Sequence, residues 1–365
     1  MNFENKSKKS KNSTGKKTAI FGGSFDPPHF GHVNLVKSVA QIIKPDRTLI
    51  IPAGNAPHKT TATPFQDRFE LAQAAFVNCP GCEISDIEQK LNLSYTIDTL
   101  RELKSLYPGD EFFLIIGSDM LLGFERWKDC KGILELCTVV AAARDESRTY
   151  DEYAKCAERF GVQLLDIPVK KVSSTEIRGK FGKSGGDRYI HSINTAKMCF
   201  ELSQKYRLTP DESEKAYTAA LLHDIMKESS AGELQKMVAE SGFSVDEAEL
   251  DAPKLWHGIA GAMYLRDSLG ITDEDIINAV RFHTVGRDKM SVVEKAVYIA
   301  DKISIERNSK KAEELRTLTF SDSTSDLDLP IYTAIKKGIK SILKKDGRIP
   351  EYTINAYNYY NKKYF

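Results

Sequence analysis

Residues 20–32 read Ile20-Phe21-Gly22-Gly23-Ser24-Phe25-Asp26-Pro27-Pro28-His29-Phe30-Gly31-His32. The apolar run from Thr18 to Gly23 has the length and composition of a buried strand, and a helical pattern starts at His32. Gly22 and Gly23 carry no Cβ, so the backbone there can approach a phosphate closely. A helix N-terminus attracts anions, and His29 and His32, three residues apart, can project from one side of that first turn and donate hydrogen bonds to phosphate oxygens. The string therefore predicts a strand, a phosphate-binding turn and a helix, in that order.

The pattern continues outward. Strands are predicted at Thr18–Gly23, Thr48–Pro52, Glu83–Asp86, Phe112–Gly117, Thr138–Ala143 and Gln163–Ile167, with amphipathic segments such as His32–Ile42, Gln66–Val77, Thr96–Leu106 and Tyr150–Phe160 between them. Strand-helix alternation of this kind implies an α/β, doubly wound parallel sheet of Rossmann type. From Tyr189 onward the pattern is helical without strands, and Thr209, Ser230 and Ser291 each precede a Glu by three residues, the reciprocal capping pattern. The expected organisation is a basic disordered tail over 1–17, an α/β domain over 18–180, a Gly-rich linker over 181–188 and an all-α helical bundle over 189–365. Gly182-Lys183-Ser184 imitates the end of a P-loop, but Ile177 stands where that motif requires glycine and no strand precedes it.

With 365 residues the chain can bury two cores, and Lys+Arg 52 against Asp+Glu 51 leaves no global field to attract nucleic acid. No apolar run is long enough for a membrane span and the start lacks a signal-peptide core, so a cytoplasmic protein acting on small molecules is expected, with no membrane or nucleic-acid partner. The six cysteines show no disulfide-framework spacing, and Cys79-Pro80-Gly81-Cys82 reads as a turn. Homo-oligomerisation is compatible with these properties.

The Gly22–His32 string resembles the HxGH signature of the nucleotidyltransferase superfamily, and Val172-Ser173-Ser174-Thr175-Glu176-Ile177-Arg178 is similar to its second signature. Ile51-Pro52-Ala53-Gly54-Asn55-Ala56-Pro57-His58-Lys59, Ser94-Tyr95-Thr96-Ile97-Asp98-Thr99-Leu100 and Ile116-Gly117-Ser118-Asp119-Met120 with Trp127 narrow the resemblance to nicotinate-nucleotide adenylyltransferases over 18–180. The resemblance implies ATP held with Mg²⁺ by Gly22, Gly23, Ser24, Phe25, His29, His32, Ser173, Ser174, Thr175 and Arg178, with His29, His32 and Arg178 catalytic. It implies nicotinate mononucleotide at His58, Lys59, Thr96 and Trp127, the Trp stacking on the pyridine ring. The mononucleotide phosphate is already anionic at pH 7, so such a site must orient it in line with the α-phosphorus and neutralise the departing pyrophosphate.

In the second half His191, His223-Asp224, His257, His283 and Asp301 recur on successive predicted helices. Helices packed as a bundle can direct all six inward, and imidazole with carboxylate suits Fe, Mn or Zn better than Ca or Mg, so a dinuclear transition-metal site is expected. Iron is the first expectation for it and manganese the second. The order resembles the HD superfamily of phosphohydrolases. His283-Thr284-Val285-Gly286, Ala300-Asp301-Lys302-Ile303 with Arg307, and Ile349-Pro350-Glu351-Tyr352-Thr353 are similar to the YqeK-type HD family, symmetrical diadenosine tetraphosphate hydrolases. That resemblance implies His191, His223, Asp224 and Asp301 on one metal, His257 and His283 on the other, Asp224 bridging and catalytic, and Lys227, Thr284 and Arg307 on the polyphosphate. Ser304-Ile305 departs from the Glu-Pro more usual there.

The expectation is thus a bifunctional enzyme: adenylyl transfer from ATP to nicotinate mononucleotide, and metal-dependent symmetrical hydrolysis of diadenosine tetraphosphate to two ADP. The alternatives are an HD module that senses a nucleotide without turnover and a first domain that prefers nicotinamide mononucleotide.

Overall fold

The computed structural model describes residues 15–54, 61–142, 150–167, 172–182 and 186–364. His58, Lys59, residues 1–14 of the expected tail and residues 183–185 of the expected linker lie outside them, while Lys17 already opens a strand. The chain divides into two compact units, one made of Met1–Gly23, Leu35–Lys59 and Gly81–Val169, the other of Ser24–Asn34, Thr60–Pro80 and Lys170–Phe365. The segments Ser24–Asn34 and Thr60–Pro80 thus group with the C-terminal helices, although in sequence they lie among the strands.

The first unit holds six strands, β1 (Lys17–Gly23), β2 (Arg47–Pro52), β3 (Cys82–Ile84), β4 (Glu111–Gly117), β5 (Thr138–Ala142) and β6 (Gln163–Leu165), all parallel in the order β3-β2-β1-β4-β5-β6. This is the doubly wound order, and it reverses direction between β1 and β4. The reversal leaves a crevice beyond the carboxyl ends of those two strands, and both end on glycine, Gly23 and Gly117. Between strands run α1 (Phe30–Ile43), α2 (Phe65–Ala75), α3 (Ile87–Lys90), α4 (Thr96–Leu106), α5 (Ser118–Leu122), α6 (Cys130–Leu136) and α7 (Tyr150–Phe160). β4 reads as one unbroken apolar run because both of its faces are covered, as a central parallel strand requires. Ile20, Leu49, Leu114, Ile116 and Val139 from the sheet pack with Ile97, Leu100 and Leu103 of α4 and Ile133 of α6. Each such fully buried side chain stabilises the fold by roughly 1.5–3 kcal/mol relative to exposure.

The second unit is helical. It contains α2, α8 (Ser174–Lys180), α9 (Asp187–Lys205), α10 (Pro210–Leu222), α11 (Ala231–Glu240), α12 (Glu247–Leu250), α13 (Trp256–Asp267), α14 (Glu274–Phe282), α15 (Val292–Ile303), α16 (Lys310–Phe320), α17 (Asp328–Leu343) and α18 (Glu351–Tyr364). Thr209 and Ser291 form reciprocal capping boxes with Glu212 and Glu294. At Ser230 only half of the expected motif is present, its side chain accepting from the Glu233 amide. Lys197 on α9 reaches Asp67 at 2.8 Å and Glu70 on α2, so α2 is tied to the helical unit by charge as well as by packing. Among the described residues no helix is long and apolar enough to cross a membrane. Cys79–Cys82 forms a turn with Gly81 at φ +72°, and all six thiols are free.

Candidate functional sites: a phosphate loop and a metal centre

The loop from Ser24 to His29 contains two consecutive prolines, which supply carbonyls and no N–H groups. Its buried carbonyls therefore need donors from elsewhere. Arg68, itself buried, donates to the Ser24 carbonyl at 2.7 Å, Arg178 to that of Asp26, Ser174 Oγ to that of Pro27 at 2.8 Å and the Tyr217 hydroxyl to that of Pro28 at 2.9 Å. The buried Asp26 carboxylate accepts from the Ala62 amide at 2.7 Å and from the Tyr189 hydroxyl at 3.1 Å.

The two histidines follow from this scaffold. His29 is buried and its Nδ1 lies 3.2 Å from the Gly31 amide; His32 Nδ1 lies 3.2 Å from the His29 amide, and the two rings are 3.8 Å apart. A backbone N–H can only donate, so each Nδ1 accepts and each neutral ring carries its proton on Nε2. Nε2–H is the donor a phosphate oxygen requires. Gly31 makes the close packing possible: a Cβ there would stand 2.8 Å from Val172 Cγ1 and 3.0 Å from His29 Nδ1.

In the second signature Ser173 caps α8 by accepting from the Glu176 amide at 3.0 Å. Arg178 lies 3.3 Å from Thr175 Oγ1 and 3.8 Å from the Asp26 carboxylate. His29, His32, Ser173, Ser174, Thr175 and Arg178 therefore share one region of the second unit, with Ser24 and Phe25; Phe25 packs edge-on to His32 at 5.2 Å. Gly22 and Gly23 end β1 in the first unit, and at Gly22 an added Cβ would meet only the Ile51 carbonyl at an ordinary 3.9 Å.

Thr96 opens α4, and Trp127, half-buried, packs on Phe124 at 5.4 Å. Lys128, next to Trp127, bonds Asp98 at 2.8 Å and lies over the Tyr95 ring, so the residues on either side of Thr96 are joined to the Trp127 turn. Glu88 braces this region from α3, accepting from the Gly54 amide at 3.3 Å and from Thr99 Oγ1 at 2.9 Å.

The metal ligands expected in the second half come together. His191 stands in α9, His223-Asp224 directly follow α10, His257 sits at the start of α13, His283 directly follows α14 and Asp301 lies in α15. His191, His223 and Asp224 form one buried group and Asp224, His257 and His283 a second, with donor atoms within 4.8 Å of one another in each. His191 Nε2 is 3.2 Å from His223 Nε2 and 3.1 Å from Asp301 Oδ1, while Asp224 Oδ1 is 3.1 Å from His257 Nε2 and 3.5 Å from His283 Nε2. Ligands about 2.1 Å from one ion and roughly at right angles would be about 3 Å apart, as these are.

Tautomers support the same conclusion. His223 Nδ1 is 2.6 Å from the Ala220 carbonyl and His283 Nδ1 is 2.7 Å from the Val280 carbonyl; since a carbonyl only accepts, both Nδ1 carry protons and both Nε2 lone pairs face the cluster. Burial lowers the His223 pKa to about 4, which keeps the ring in its ligating neutral form. Asp224 is buried, which alone would favour the acid, but the surrounding imidazoles hold its pKa far below the usual carboxylate range. The donor set therefore fits a pair of divalent metal ions, with Asp224 common to both groups.

Lys227 Nζ lies 3.4 Å from Asp224 and 2.9 Å from His257, and Arg307 lies 2.7 Å from Asp301. Thr284 lines a cavity of about 700 Å³ with Lys254, Tyr298, Lys345, Arg348 and Thr353, and His191 and Arg307 open on another of about 660 Å³. One acid beside the cluster was not expected from the sequence. Glu306 contacts His191 Nδ1 and accepts from Ser304 Oγ at 2.6 Å and from Asn194 at 2.9 Å. It occupies the second position after Ser304, so the Ser304-Ile305 departure contains its own signal: the buried serine hydroxyl directs the acid onto His191.

A family model described as cytidylyltransferase-like matches residues 20–180, and one described as HD domain matches 188–306. A Thermotoga sp. (strain RQ2) protein named "Probable nicotinate-nucleotide adenylyltransferase" is 38% identical over 177 residues, 47% of this chain and 90% of that one. Two relatives span both halves and are named "Probable nicotinate-nucleotide adenylyltransferase/Ap4A hydrolase". The one from Mycoplasma genitalium is 26% identical over 81% of this chain and 89% of its own, and the one from Mycoplasma pneumoniae is 25% identical over 89% and 99%. With the doubly wound sheet, the tethered HFGH loop and the histidine-aspartate cluster in view, the chain belongs to the nicotinate-nucleotide adenylyltransferase family and carries an HD domain behind its adenylyltransferase region.

Proposed function

We propose that the chain is a bifunctional enzyme, transferring an adenylyl group from ATP to nicotinate mononucleotide and hydrolysing diadenosine tetraphosphate symmetrically to two ADP. The observation that carries the first activity is the Nε2–H tautomer of His29 and His32 on a loop whose carbonyls are held by Arg68, Arg178, Ser174 and Tyr217. Donors fixed before substrate arrives need not reorganise as charge develops on the leaving pyrophosphate, and this preorganisation is the main source of electrostatic catalysis. Arg178 adds charge beside them, with Mg²⁺ on the triphosphate. The mononucleotide phosphate attacks the α-phosphorus, the bond to the bridging oxygen breaks, and pyrophosphate leaves. In this reading Trp127 stacks on the pyridine ring while Thr96, at a helix start, meets the nicotinate carboxylate. His58 and Lys59 are assigned to the mononucleotide by family resemblance alone.

For the second activity, the metal pair when bound supplies a nucleophile at neutral pH and Lewis-acid charge for the phosphoryl oxygens. His191, His223 and Asp301 would hold one ion and His257 and His283 the other, with Asp224 available to both. Lys227 and Arg307 place two cations next to these ligands, where a polyphosphate needs them. A cavity of about 660 Å³ opens on His191 and Arg307, which leaves room for a substrate beside that ligand. Imidazole-rich ligation with a shared carboxylate suits a transition metal, and we take iron first and manganese second. The setting we propose is cytoplasmic, in keeping with six free thiols.

The test is product analysis. Purified protein given ATP with nicotinate or nicotinamide mononucleotide should form deamido-NAD faster than NAD, and with iron or manganese it should convert diadenosine tetraphosphate to ADP alone. AMP with ATP as products, or binding without turnover, would contradict the hydrolase reading. Preference for nicotinamide mononucleotide would contradict the acceptor.

A further inference from the structure

We propose that Tyr217, on the HD helix α10, is a positioning residue for adenylyl transfer, acting through the Pro28–His29 peptide. The inference rests on the transferase reading above and assigns to it a residue beyond the two signatures. The Tyr217 hydroxyl donates to the Pro28 carbonyl at 2.9 Å, and the N–H of that same peptide group, belonging to His29, donates to His32 Nδ1 at 3.2 Å. A peptide unit is planar and rigid, so its carbonyl and its N–H turn together. The hydroxyl on one side therefore sets the direction of the donor on the other, and that donor fixes which His32 nitrogen carries the proton.

Pro28 adds no N–H of its own, and the Tyr217 side chain is buried, so the hydroxyl is held where it meets the loop. The neighbouring helix α9 contributes in the same way: Tyr189, also buried, donates to Asp26 at 3.1 Å and lies 3.2 Å from Thr63 Oγ1. Two helices that lead into the metal ligands His191 and His223 thus also grip the phosphate loop. The HD helices α9 and α10 supply these contacts.

The test uses the full-length protein with Tyr217→Phe, which retains the buried ring and removes only the hydroxyl. In ¹⁵N-histidine spectra the wild type should show His32 as the Nε2–H tautomer, and the variant should show a mixture. For adenylyl transfer, kcat should fall about tenfold with KM for both substrates within about twofold, a rise of ~1.4 kcal/mol in the activation barrier. In a His32→Ala background the same substitution should cost little more, because its effect passes through His32. An unchanged His32 tautomer with unchanged kcat, in a variant whose circular dichroism matches the wild type, would overturn the proposal. So would full additivity with His32→Ala. Absence of adenylyl transfer in the wild type would overturn the transferase reading instead, and the tautomer measurement would still decide the role of Tyr217.

Discussion

Replacing Glu306 with glutamine should weaken metal binding and hydrolysis without touching adenylyl transfer. Glu306 contacts Nδ1 of His191, whose Nε2 faces Asp301 at 3.1 Å and His223 at 3.2 Å, so the acid sets both the tautomer and the aim of a ligand. Burial favours the neutral acid at Glu306, but hydrogen bonds from His191, Ser304 and Asn194 outweigh it and bring its pKa down to about 2. The partner of His191 is therefore a carboxylate at any working pH. Glu306→Gln keeps the shape and an accepting oxygen and removes the charge, and charge-assisted hydrogen bonds are about twice as strong as neutral ones. Outer partners of this kind are worth about 10–100-fold in metal affinity or activity, or ~1.4–2.8 kcal/mol. Metal affinity measured by chelator competition should fall within that range, and diadenosine tetraphosphate cleavage at limiting metal should fall with it. Excess metal should restore much of the rate. Unchanged affinity, or loss of adenylyl transfer in the same preparation, would refute the reasoning.

Trp127→Ala should raise KM for nicotinate mononucleotide by roughly 5- to 150-fold, the equivalent of ~1–3 kcal/mol for one ring stacked on an aromatic face, with KM for ATP unchanged; a change confined to ATP would place the indole elsewhere. Gly31→Ala inserts a Cβ 2.8 Å from Val172 and 3.0 Å from His29 Nδ1. Overpacking of that kind costs roughly 1–3 kcal/mol, so if the loop absorbs it steady-state adenylyl transfer should drop by at least about fivefold while hydrolysis persists, and a fully active variant would show that the loop has slack.

Much of the fold was legible because each half has a single dominant period. Apolar runs at β1, β2 and β4 and the 3.6-residue pattern of α4 and α7 placed those strands and helices to within one residue, and the parallel order follows from their alternation. That His191, His223, Asp224, His257 and His283 come together was legible for a chemical reason: few other uses require so many imidazoles with carboxylates in one helical region. What stayed hidden depends on tertiary neighbours. Glu306 is an ordinary acid until Ser304 and Asn194 direct it at His191. Tyr217 and Arg68 resemble core and surface residues in sequence, and only the proline-rich loop, short of donors of its own, gives them work. The grouping of Ser24–Asn34 and Thr60–Pro80 with the helices is likewise a matter of long-range packing, which local periodicity does not report.

The central claim is that one chain carries two chemically separate sites, and a crossed assay tests it most directly. Wild type, His32→Ala and Asp224→Ala would each be assayed for deamido-NAD formation, for ADP release from diadenosine tetraphosphate and for bound metal. His32→Ala removes a phosphate donor and should cut adenylyl transfer alone, to a low residual rate. Asp224→Ala removes the carboxylate common to both ligand groups and should lose metal and hydrolysis alone. Retention of full metal and hydrolysis in Asp224→Ala, or of parent-rate deamido-NAD synthesis in His32→Ala, would contradict the account.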